Sequence, residues 1–157
     1  MKIDQTDERI LEALQTQGRL ANQQLAENLG LSPASCWRRI RALEEGGVIQ
    51  RYAALLDRKL LGLNLCTFVH VSLARHDKQN VTAFEAAIKN HPEVLECYAT
   101  TGDADFMLRV VTRDIEAYDR FLENFMFTLP GLLQVKSNIA LREIKFETKL
   151  PVTNRTT

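Results

Sequence analysis

The stretch Leu25-Ala26-Glu27-Asn28-Leu29-Gly30-Leu31-Ser32-Pro33-Ala34-Ser35-Cys36-Trp37-Arg38-Arg39-Ile40-Arg41-Ala42-Leu43 decides how this chain is read. Leu25, Ala26 and Leu29 recur at helical spacing, and Gly30 interrupts the pattern. Ser32 is a strong N-cap, and Pro33 suits the first helical position, where its missing N–H is not needed. The spacing predicts a helix over 22–29, a turn at Gly30-Leu31-Ser32, and a second helix running to about Glu45 and closed by Gly46-Gly47. Ala26 is small where two helices would cross closely, Gly30 allows the sharp turn, and Leu31 can plug the gap between them. Such a pair is either a helix-turn-helix or a plain helical hairpin.

The faces of the second helix favour the helix-turn-helix. At roughly 100° per residue, Cys36, Ile40 and Leu43 share one side, and Ala34, Arg38 and Arg41 fall opposite. Ser35 and Trp37 flank that outer face, and Arg39 lies near the edge of the apolar stripe. Small residues at the start of a helix let its backbone approach a major groove. Hydroxyls and free N–H groups there can meet phosphate, and arginine can reach phosphate or pair with guanine. The candidate DNA contacts are therefore Ser32, Pro33, Ala34, Ser35, Trp37, Arg38, Arg39 and Arg41, joined by Arg51 downstream. Two plainer readings stand beside this: Trp37 packs against a neighbouring element, and the arginines are a solvated face. Against the second, Glu44 and Glu45 come only at the far end, so positive charge gathers in the first half of the helix.

Working outward, Asp4 predicts the cap of a first helix over 5–17, with Asp7 in its opening turn, Ile10, Leu11 and Leu14 as its apolar stripe, and Gly18 as its stop. Val48 to Leu56 is β-rich and is expected to form a wing. Asp57-Arg58-Lys59-Leu60-Leu61-Gly62 reads as a linker whose Arg58 and Lys59 could extend the basic patch. The expected organisation is a DNA-binding domain over 1–56, a linker over 57–63, and an effector-binding and oligomerisation domain over 64–157, with a frayed end after Pro151.

The second half alternates strand and helix patterns. Strands are expected over 64–73, 94–100, 105–111 and 133–144, and helices over 81–90 and 115–129. Val81, Phe84 and Ile88 face inward on the first of these helices; Ile115, Tyr118, Leu122, Phe125 and Leu129 form the stripe of the second. The order βαββαβ is the ferredoxin-like plan, an antiparallel sheet with both helices on one side. The open side is expected to carry many apolar residues and to be covered by a second subunit, giving a symmetric dimer that presents two DNA-reading helices.

One polar constellation stands out: Thr101-Gly102-Asp103-Ala104-Asp105-Phe106. Free N–H groups at such a turn can hold a carboxylate, and Asp103 or Asp105 can hold an ammonium, which suits an amino-acid zwitterion. The plain alternative is a hairpin turn with solubilising aspartates.

Composition excludes rather than identifies. Lys+Arg and Asp+Glu are each 20, so any basic footprint must be local. No apolar run is long enough to span a bilayer, and no apolar signal-peptide core follows Met1. Cys36, Cys66 and Cys97 are odd in number and far apart, which reads as thiols in a reducing cytoplasm. His70, His76 and His91 stand in no metal or nucleophile spacing, so no cofactor is expected and an enzyme is disfavoured.

Taken together the chain resembles the Lrp/AsnC family, the feast/famine regulators. The resemblance rests on Ile3-Asp4 with Asp7, Ile10-Leu11 and Leu14; on Leu29 to Pro33 with Cys36, Arg39, Leu43-Glu44, Gly47-Val48-Ile49 and Ala54-Leu55-Leu56; and on Pro92-Glu93-Val94, Gly102-Asp103, Asp105-Phe106, Leu129-Pro130-Gly131 and Ile144-Lys145. It implies an N-terminal winged helix-turn-helix on double-stranded DNA and a C-terminal α+β module. It further implies homodimers assembling into higher oligomers, often octamers, and an amino-acid effector at a contact between subunits. By resemblance the effector residues are Gly102, Asp103 and Asp105, with Thr101 and Tyr98 beside them. Phe106 stands where the family often has Tyr, and Asn22 is expected to cap the second helix in place of the usual capping box. The alternative function is an architectural DNA binder that needs no effector.

Overall fold

The computed structural model of the protein describes residues 2–74 and 78–152. His76 lies outside them. The chain forms two compact units: one runs to Leu55 and takes up the chain again from Lys145, the other spans Leu56–Ile144.

The first unit is built on three helices, α1 (Gln5–Thr16), α2 (Asn22–Leu29) and α3 (Pro33–Glu45). Ile10, Leu11, Leu25, Ala26, Cys36 and Leu43 form its buried core. Gly30 is left-handed at φ 67°, so it supplies the C-cap that redirects the chain into α3. Asp4 caps α1 in a reciprocal box with Asp7, and the Ser32 hydroxyl accepts from the Ser35 N–H at 3.2 Å at the head of α3. Asn22 is not a cap. It is the first residue of α2, Ala21 precedes it without a side-chain cap, and the Asn22 amide donates to the Pro33 carbonyl at 2.9 Å. It thus pins the start of α2 to the start of α3.

The expected wing is absent as a strand: among the described residues Val48–Leu56 has no strand assignment. Val48 and Ile49 donate to the Leu43 carbonyl, and no described residue offers the rest of the segment a ladder. β-prone composition without a partner for its N–H and C=O groups leaves extended coil. The chain end also departs from expectation. Gln15 donates to the Leu150 carbonyl at 3.1 Å and accepts from the Leu150 N–H at 2.6 Å, and Val152 packs on the three-helix core. The last described residues therefore belong to the first unit, not to the α+β domain.

The second unit has the expected βαββαβ order: β1 (Leu65–Leu73), α4 (Lys78–Asn90), β2 (Val94–Ala99), β3 (Phe106–Thr112), α5 (Ile115–Asn124) with a 3-10 turn over Met126–Thr128, and β4 (Leu132–Ile139). The strands form one antiparallel sheet in the order β2-β3-β1-β4. Val69, Val71, Leu73, Phe106, Leu108 and Val110 meet Phe84, Ile88, Tyr118, Phe121 and Met126 from the helical layer. Phe84 and Phe106 lie 4.8 Å apart, ring to ring. Ile115 is exposed rather than part of the stripe; the buried face of α5 is centred on Tyr118 and Phe121. β4 ends at Ile139, five residues before the expected end, although the Ala140 N–H still donates to the Cys66 carbonyl of β1 at 2.9 Å.

The open side of the sheet corrects the sequence reading. Strand alternation sends Val69, Val71, Leu108 and Val110 to the helices, and leaves Phe68, His70, Ser72, Met107, Arg109, Gln134, Lys136 and Asn138 on the other face. That face is mainly polar, with Arg109 paired to Glu96. Its exposed large apolar residues are Phe68 and, on β2, Tyr98, short of the continuous apolar face expected.

Candidate DNA-reading helix and effector cavity

On α3 the core side is held by Cys36 and Leu43, both fully buried; burial also pushes the Cys36 thiol above its ordinary pKa. The opposite side exposes Ser32, Pro33, Ala34, Trp37, Arg38 and Arg41, while Ser35 is half-buried. Trp37 is 56% exposed, and the Arg41 guanidinium sits 5.6 Å from its ring centre. Arg41 also meets Glu45 at 3.4 Å, an exposed pair of little energetic weight. Arg51 is exposed on the segment after the helix.

Arg39 separates from this set. Its Nη1 lies 2.7 Å from Asp4 and 2.7 Å from Asp7, so α3 is clamped to the head of α1. The Asp7 N–H and the Arg39 guanidinium hold the Asp4 carboxyl below its ordinary pKa, and the carboxylates push Arg39 upward. A guanidinium committed to two carboxylates is not presented to a groove. Its place at the edge of the apolar stripe was the sequence signal for this. Arg58 is likewise spent: it donates to the carbonyls of Leu63 and Asn64 within its own loop.

In the second unit the turn between β2 and β3 does more than close a hairpin. The Asp105 N–H donates to the Val71 carbonyl at 3.0 Å, and its carboxylate accepts from the Leu73 N–H at 2.8 Å. The Ser72 hydroxyl reaches the Asp103 carbonyl at 3.4 Å. These bonds fold the turn over the end of β1, towards β4. Gly102 sits at φ 119°, a conformation that L side chains rarely adopt. The N–H groups of Thr101, Gly102, Asp103 and Ala104 donate to no acceptor among the described residues.

Beneath the turn lies a cavity of about 430 Å³. Thr100, Thr101, Asp103 and Ala104 form one wall, and the open sheet face forms the floor: His70 and Ser72 of β1, Met107 of β3, and Gln134, Lys136 and Asn138 of β4. Of the residues expected around an effector, Thr101 and Asp103 line this cavity. Asp105 serves the turn as its anchor. Phe106 is buried on the helical side, 5% exposed, because its strand position alternates away from the open face. Tyr98 is exposed beside Glu96 on β2 and does not line the cavity. The sequence reading missed the floor. Its signal was available in β4, where Gln134, Lys136 and Asn138 alternate with Val135, Ser137 and Ile139.

Comparison with known proteins covers both units. Residues 3–50 match a family described as winged helix-turn-helix DNA-binding, and residues 66–150 match the Lrp/AsnC ligand binding domain. The Bkd operon transcriptional regulator of Pseudomonas aeruginosa is 40% identical over 96% of this chain and 99% of its own length. The leucine-responsive regulatory protein of Salmonella typhimurium is 35% identical over 98% and 93%. Among solved structures, the transcriptional regulator NMB0573 of Neisseria meningitidis, in complex with L-Met, superposes with a TM-score of 0.91 at 38% identity, covering 96% of this chain and 97% of that one.

Proposed function

The chain belongs to the Lrp/AsnC family of transcriptional regulators, and from that premise we propose that α3 reads double-stranded DNA while the cavity under the Gly102-Asp103 turn takes an amino acid that tunes the binding. Arg38 and Arg41 are the side chains that reach the duplex, with the Ser32 and Ser35 hydroxyls and the unspent Ala34 N–H at the head of α3 set against phosphate. The observation that carries this reading is the division of labour on α3. Arg39 is locked inward while Arg38 and Arg41 stand exposed.

Sensing rests on the turn. Thr101, Asp103 and Ala104, each with an unspent N–H group, and the Asp103 carboxylate border a cavity whose size is typical of small-molecule sites. An amino acid bound there changes how subunits associate, and by linkage the assembled spacing of the α3 helices changes DNA affinity. Oligomerisation is typical of the family; for this chain we infer homodimers that assemble to an octamer in the cytoplasm, working without catalysis. No helix among the described residues is long and apolar enough to cross a membrane.

The test selects genomic fragments bound by the full-length chain, then measures affinity and sedimentation with and without each amino acid. Arg38→Ala should weaken specific binding and leave the oligomer intact. Unchanged affinity removes Arg38 from the interface. Indifference to every amino acid removes sensing and leaves an architectural DNA binder.

A further inference from the structure

The cavity beneath the turn has a lining that is selective, and its selectivity is not that of an aliphatic pocket. Lys136 and His70 face each other across β4 and β1, with Gln134 and Asn138 on either side of Lys136. Lys136 is exposed and forms no ion pair with any described residue. On the opposite wall stand Thr101, Asp103 and Ala104, whose N–H groups donate to no described acceptor. Of the described side chains that line this space only Ala104 and Met107 are wholly apolar.

We propose that the effector is an acidic amino acid, L-aspartate or L-glutamate, with its side-chain carboxylate on Lys136. The proposal rests on the reading of this cavity as the effector site and names what it takes. The lining offers two places for an anion, the turn N–H groups and the Lys136 ammonium, and one place for a cation, Asp103. A dicarboxylic amino acid carries two carboxylates and one ammonium. The α-carboxylate meets the turn, whose unspent N–H groups are its donors. The α-ammonium meets Asp103. The remaining carboxylate lies over β4, where Lys136 supplies charge and Gln134 and Asn138 supply N–H donors. An aliphatic side chain in the same place would take Lys136, Gln134 and Asn138 out of water and replace none of their hydrogen bonds. The carboxamides L-asparagine and L-glutamine match the shape but leave the ammonium without its counter-charge.

Calorimetric titration of the full-length chain tests this, using L-Asp, L-Glu, L-Asn, L-Gln, L-Leu and L-Met, repeated with Lys136→Met and Asp103→Asn. Lys136 is exposed, and Lys136→Arg serves as the charge-retaining control. One of the acidic amino acids should bind at least about tenfold more tightly than its amide and than leucine or methionine, since a charged hydrogen-bonded contact is at stake. Lys136→Met should erase that advantage, Lys136→Arg should keep most of it, and Asp103→Asn should weaken every amino acid alike. Leucine, methionine or an amide binding as tightly as the acids, or a Lys136→Met variant that keeps the preference, overturns the proposal while leaving an amino-acid site in place. Failure of all six to bind overturns the effector reading itself.

Discussion

Replacing Arg39 by Met tests whether the cationic residues of α3 are sorted as the structure sorts them. The Arg39 side chain is 31% exposed and bonds two carboxylates, of which Asp7 is 11% exposed and Asp4 lies in solvent. Methionine keeps much of the packing volume and removes the charge. Asp7 then retains the Asp4 N–H at 3.1 Å but leaves its other oxygen largely out of water without a donor. A hydrogen bond to a charged, mostly buried group is worth about 1.5–3 kcal/mol. The contact with exposed Asp4 adds little, so the expected loss is about 2 kcal/mol. For a unit of this size each kcal/mol moves the midpoint by roughly 4–8 °C. The melting transition of the helical unit should therefore fall by about 10 °C in the full-length chain, read by circular dichroism or calorimetry. Duplex binding is measured in parallel at a temperature where the variant is folded. The slope of log affinity against log salt should be unchanged for Arg39→Met, whereas Arg38→Ala should lower it by about 0.9 for each subunit whose α3 meets the duplex, without shifting the midpoint. A slope that drops for Arg39→Met while its melting stays at the parent value would refute the assignment. The clamp also sets an acid limit. Asp4 has a depressed pKa in the folded chain, so its contribution is present above the ordinary carboxylate pKa near 3.8 and is lost as the pH falls through the depressed value.

Three further outcomes follow from the same geometry. His91 packs on Phe125 with ring centres 3.9 Å apart, its Nδ1 has no partner among the described residues, and burial lowers its pKa, with Glu93 opposing weakly. The folded state thus binds fewer protons there, so the α+β unit should lose stability as the pH falls below about 6.5, and His91→Phe should flatten that part of a melting-against-pH profile. Asp105→Ala removes the acceptor of the Leu73 N–H and should cost about 1 kcal/mol while loosening the turn; exchange of the Leu73 amide as slow as in the parent would contradict its anchoring role. Gln15→Ala removes both bonds to Leu150 and should speed exchange of the Leu150 amide and proteolysis of the chain end, with little change in global melting because the bracket is exposed.

The division between legible and illegible follows the range of the interactions. The head of α3 was readable from Ser32-Pro33, the turn from Gly30, and the cap of α1 from Asp4 and Asp7, because capping and left-handed backbone depend on residues within a turn of one another. The βαββαβ order was readable because strand and helix periods differ. Half of the candidate site was also present as a motif, the Gly102-Asp103 turn, since a glycine between polar residues announces both a bend and free N–H groups.

What needed the tertiary structure was every feature that joins distant segments. Arg39 reads as one more arginine until α1 brings Asp4 and Asp7 to within 2.7 Å of it. Asp105 reads as a ligand until β1 presents the Leu73 N–H, and Leu150 reads as frayed chain until Gln15 brackets it. The cavity floor exists only once the register sets Lys136 opposite His70 and places both beneath the turn. Local propensity and periodicity determine which backbone a segment adopts and which side chains share a face. Which groups from remote segments satisfy one another is settled by packing, because a side chain's partner is chosen by three-dimensional proximity that no spacing along one segment encodes.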